Sequence, residues 1–157
     1  MASINTLLEL IADGVMADIA LNTWVAVNYD KALAVFENCD PRTDPGQGDC
    51  PFVVVTPDSK YAGLSSKVKG HVINVSCIVY DEKTEQTMHG VTRFIACRMV
   101  EEMRVLTLSA VRSVLPSDIH IEDVDTTYMP LDEYPMAAAV MSITLTQEKL
   151  IGSNPYE

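Results

Sequence analysis

The sequence predicts an α+β fold in which an N-terminal helix and one long helix pack on an antiparallel or mixed β-sheet. Three observations carry that expectation. The chain opens with an apolar stripe at helical spacing, and a second, longer stripe runs through residues 90–114. Two segments, 71–81 and 136–146, alternate apolar with other residues at the period of a strand that has one face in a core. At 157 residues and 48% hydrophobic, the chain suits one domain, 1–157, able to hold a core without metal or disulfide.

Ile4, Leu8, Ile11, Val15 and Ile19 recur at three- and four-residue intervals and set the first helix. Thr6 with Glu9 fits a capping box, with Ser3 and Asn5 as equally suitable caps, and Gly14 weakens the middle. Residues 24–36 fit either a second helix centred on 32–36 or a short extended piece at 25–29. Residues 38–51 collect three prolines, two glycines and three aspartates with no apolar residue except two cysteines, the composition of a long, exposed, irregular loop. A buried-type strand at 52–56 stops at Pro57, and 60–69 is a polar connection. In the strand over 71–81, Ile73, Val75, Cys77 and Val79 take one face while Asn74 and Ser76 take the other. A polar turn at 81–86 follows.

The long helix at 90–114 aligns Val91, Ile95, Met99, Met103, Leu106, Ala110 and Val114, and Pro116 ends it. A closing hairpin, 119–128 and 136–146, is joined through Pro130 and Pro135. In its first strand Ile119 and Ile121 have one parity and Val124 and Tyr128 the other, so a β-bulge near Glu122 and Asp123 is needed to restore one apolar face. Ala137, Ala139, Met141, Ile143 and Leu145 form the inward row of the second. A flexible polar tail begins at about residue 150.

Eleven basic residues against 22 acidic ones give a net charge of −11, which repels nucleic-acid phosphates and anionic lipid and argues against DNA wrapping. The cysteines Cys39, Cys50, Cys77 and Cys97 form no Cys-x-x-Cys pair and are expected as reduced thiols. No signal peptide, no apolar run long enough to span a bilayer and no phosphate-binding glycine motif is present, and His71, His89 and His120 belong to no metal motif. No cofactor, catalytic residue or metal ligand is therefore assigned. One cluster, His120, Glu122, Asp123 and Asp125, has carboxylates two apart on a strand, but the glycine and distal Glu of a calcium loop are missing.

Charge segregation is the stronger signal. Residues 113–148 contain no Lys or Arg but carry Asp118, Glu122, Asp123, Asp125, Asp132, Glu133 and Glu148, while Lys60, Lys67 and Lys69 crowd one connection. A solvated face and a pair of complementary patches on neighbouring subunits both fit that pattern.

The succession of amphipathic helix, long irregular loop, "PFVVV" strand at 51–55 closed by Pro57, further strand, long helix and terminal hairpin resembles the tail terminator, or tail completion, proteins of long-tailed bacteriophages and prophages. The resemblance covers roughly residues 4–150 and lies in layout. It implies a non-enzymatic virion protein that forms a hexameric ring, caps the tail tube and joins it to the head. It also implies assembly in the bacterial cytoplasm, tail-tube and head-connector partners, and passage of DNA through the ring without specific binding. The lysines 60, 67 and 69 and the acidic residues Asp118, Glu122, Asp123, Asp125, Asp132 and Glu133 would then meet between subunits. Competing readings are another connector or neck subunit, or a small cytoplasmic enzyme or ligand-binding domain built on the His120–Asp125 cluster.

Overall fold

A computed structural model describes residues 3–38, 45–61, 68–129 and 134–148, the side chains of 60, 61, 68, 69 and 148 excepted. The first apolar stripe forms helix α1, Ile4–Ala17, started by Ser3, whose Oγ accepts the backbone N–H of Thr6 at 3.2 Å. Leu7, Leu8, Ile11, Ala12 and Val15 are its buried face. Gly14 is where α1 crosses the long helix: a Cβ there would sit 2.3 Å from Val114 Cγ1. Its missing side chain serves close packing, a role the helical pattern alone did not reveal.

Asp18 ends α1 and starts helix α2, Ile19–Tyr29, accepting Leu21 N–H at 2.8 Å through Oδ1. This divides the expected continuous stripe. Ile19 opens the second helix and is 82% exposed instead of lining the first. The ambiguous 24–36 stretch resolves opposite to both alternatives: residues 25–29 are helical, and the extended piece is strand β1, Ala34–Glu37. Asp30, in the left-handed region at φ 51°, makes the break between them.

Strand β1 pairs in parallel with β2, Phe52–Tyr61, in the register Ala34 opposite Phe52 through Glu37 opposite Val55. Parallel neighbours need a crossover of a dozen or more residues. The stretch between Glu37 and Phe52, fourteen residues, is that crossover. The expectation of a wholly exposed loop is corrected at its end. After a single 3₁₀ turn at Gln47–Asp49, Cys50 is buried, and its carbonyl accepts from Lys31 Nζ at 3.3 Å. Residues 39–44 lie outside those described. Strand β2 also continues through Pro57, with a bulge between Pro57 and Ser59. By that point β1 has ended, so β2 has become an edge, where a residue without an N–H is tolerated.

Strands β3, Val68–Tyr80, and β7, Met136–Glu148, form the centre of a five-stranded sheet in the order β1-β2-β3-β7-β6, antiparallel except for the first pair; β6 is His120–Met129. Ile73, Val75, Cys77 and Val79 of β3 face the helices fully buried, as do Ala137, Ala139, Met141, Ile143 and Leu145 of β7. The expected bulge in β6 is present: Ile121 pairs with Leu145 and Asp123 with Thr144, leaving Glu122 as the extra residue. Both Ile121 and Val124 thereby pack on the core.

The long helix α3 is Ile95–Val114, shorter than the expected 90–114. Its buried line is Ala96, Val100, Met103, Thr107, Ala110 and Val111; of the predicted stripe Met103 and Ala110 are fully buried, while Met99 and Leu106 are only partly buried. The expected polar turn at 81–86 is likewise corrected. Thr84–Gln86 (β4) and Thr92–Phe94 (β5) pair as a separate two-stranded hairpin, turned at Thr87–Gly90 with Gly90 at φ 84°. The helices cover one sheet face. At one end of the other face, Cys50, Phe52 and Val54 form a small second cluster with Ala34, Phe36, Ile78, Tyr80 and Met136, where Phe36 and Phe52 meet edge-on at 5.7 Å. The fold is α+β, as the sequence predicts.

Candidate functional site

Strand β6 ends the sheet, paired to β7 on one side only. Opposite β7's outward residues Thr146, Thr144 and Ser142 stand His120, Asp123 and Asp125, so these three share the face away from the helices. Asp118, Glu122, Asp123 and Asp125 are all exposed. An edge strand offers unpaired N–H and C=O groups to any other strand, and carboxylates and a bulge are two devices that restrain indiscriminate pairing there.

Of the lysines, Lys60 lies toward the opposite edge and Lys69 in a central strand. Lys60 lies in β2 opposite His71 of β3, beyond the end of β1, and Lys69 lies in β3 opposite Gln147 of β7. The row Lys60, His71, Leu145, Ile121 runs across the sheet from β2 to β6. The backbone positions of Lys60 and of the acidic start of β6 thus occupy the same end of the sheet at its two unlike edges. Lys67, Asp132 and Glu133 lie outside the described residues.

Strand β6 is tied to α3 beneath it. Arg104 donates to Glu101 through Nε at 2.8 Å and Nη2 at 2.7 Å, and Tyr128 Oη donates to the same carboxylate. The Arg104 hydrogen bonds, helped by Tyr128, hold the Glu101 carboxyl at about 2, well below the usual range, while the carboxylate raises the Tyr128 phenol. Helix α2 is pinned to the same helix by Trp24 Nε1, which donates to Glu102 Oε2 at 3.1 Å.

The chemistry of the remaining groups is quiet. Burial pushes the Cys50 thiol up to about 11 and the Cys77 thiol up to about 12, so both stay protonated and poorly nucleophilic. Among the described residues no group of three or more His, Cys, Asp or Glu is arranged to hold a metal ion, and His120, Glu122, Asp123 and Asp125 form none. No single described helix is long and apolar enough to cross a membrane.

Sequence reasoning missed the β4–β5 arm. Every residue from 82 to 94 is exposed except the partly covered Thr87, and Met88 at the tip is 94% exposed. The base is nevertheless fixed. Tyr134 Oη donates to Glu82 O at 2.9 Å, Ile95 N–H to Lys83 O at 3.1 Å, and Phe94 meets Tyr134 edge-on at 5.0 Å. The signal was available in the sequence: Gly90 sits between short segments rich in Thr, but a polar turn followed by a helix fits the same letters.

No protein-family model and no curated protein matches the chain. Its fold is similar to that of a chain in the solved "Virion of native gene transfer agent (GTA) particle", with a TM-score of 0.52 at 12% sequence identity over 90% of this chain and 94% of that one.

Proposed function

We propose that this chain is a non-enzymatic structural protein of a phage or phage-like virion, and that it acts as a tail terminator, a ring that caps the tail tube and joins it to the head. One observation carries the reading: the likeness to the gene transfer agent virion chain spans nearly the whole of both chains, so an entire subunit fold recurs. The distribution of charge supports the ring. Contacts that close head to tail need two different, complementary surfaces on each copy. The acidic β6 edge and the part of β2 that carries Lys60, beyond the end of β1, are unlike edges of one sheet. Exposed ion pairs contribute only about 0–1 kcal/mol each, so these charges select register while strand pairing and apolar burial supply affinity. An acidic subunit also lets DNA pass without counterion-release binding.

The purified protein at high concentration is expected to form closed rings, seen by light scattering and negative-stain electron microscopy, that cap tail tubes added to them. Reversing Lys67 and Lys69 to Glu blocks ring formation, and reversing Asp132 and Glu133 to Lys in the same chain partly restores it. Rings from the first double variant as abundant as the wild type's would reduce the charge pattern to a solvated face. Rings that bind a portal or neck assembly and leave tail tubes uncapped would make the chain a connector subunit instead.

A further inference from the structure

We draw no further inference here: the strongest candidate, the uncharged outer face of helix α2 on which Ile19 and Val27 stand open to solvent, carries nothing because nothing in the structure shows what covers it.

Discussion

Strands β3 and β7 and the β4–β5 arm are both antiparallel pairs, yet they owe their shape to different things. The central pair runs thirteen residues in continuous register, from Val68 opposite Glu148 to Tyr80 opposite Met136, with every helix-facing residue from Ile73 to Val79 and from Ala137 to Leu145 buried. The arm runs three paired positions and buries none. Each large aliphatic side chain withdrawn from water contributes about 1.5–3 kcal/mol, so the first pair is held by its surroundings. The second is held by its turn and its base. A strand pair without a core is therefore a surface feature.

The sharpest way to break the comparison is to empty the centre. Met141→Ala removes a fully buried side chain from β7 and should cost about 2–5 kcal/mol, measured by urea unfolding at fixed protein concentration. A loss below about 1 kcal/mol would show that the core repacks freely. Gly14→Leu is next. The side chain would have to enter the space held by Val114, and overpacking of this kind should cost about 1–3 kcal/mol. The corresponding thermal shift separates this from a surface substitution.

Between centre and arm stands the edge strand with its Glu101 tether. The folded carboxyl titrates at about 2 against an ordinary 4.5, so its contribution is complete above about pH 4.5 and is lost as pH falls toward 2. The site is largely open to solvent, which limits the effect to about 0–1 kcal/mol. Glu101→Gln should lower stability by that amount at neutral pH and flatten the acid limb of the stability curve between those two values. An unchanged acid limb would mean that the tether exists without contributing. The smallest effect is expected at the arm. Replacing residues 87–90 with Asn-Gly should change stability by less than about 0.5 kcal/mol, measured by urea unfolding. A large loss of stability would show that the arm belongs to the core.

How much was legible in advance followed the same division. The inward rows of β3 and β7 were readable because period-two alternation reports a one-sided environment directly. The bulge near Glu122 was readable for a related reason: a broken parity can meet one apolar face only through an extra residue. Of the candidate interface, the segregation of charge was visible in composition. Its arrangement was not, because the placement of the Lys60 and β6 ends at unlike edges of one sheet depends on strand order, and strand order has no local signature.

Local pattern was enough for the α+β class, the half-buried strands and the end of α3 before Pro116, since each rests on spacing or a lost N–H within a few residues, whereas it left Ser3, Asn5 and Thr6 open as the cap of α1, which is Ser3. Tertiary structure decided the rest. Residues 34–37 are a strand because β2 offers them a parallel ladder, and residues 25–29 are helical because Val25 finds the core from α2. Pro57 lies inside a strand because β1 stops short of it. Gly14 is a crossing point because Val114, a hundred residues away, arrives there. In each case the deciding partner is distant along the chain, and short-range pattern carries no information about which distant surface a segment will meet.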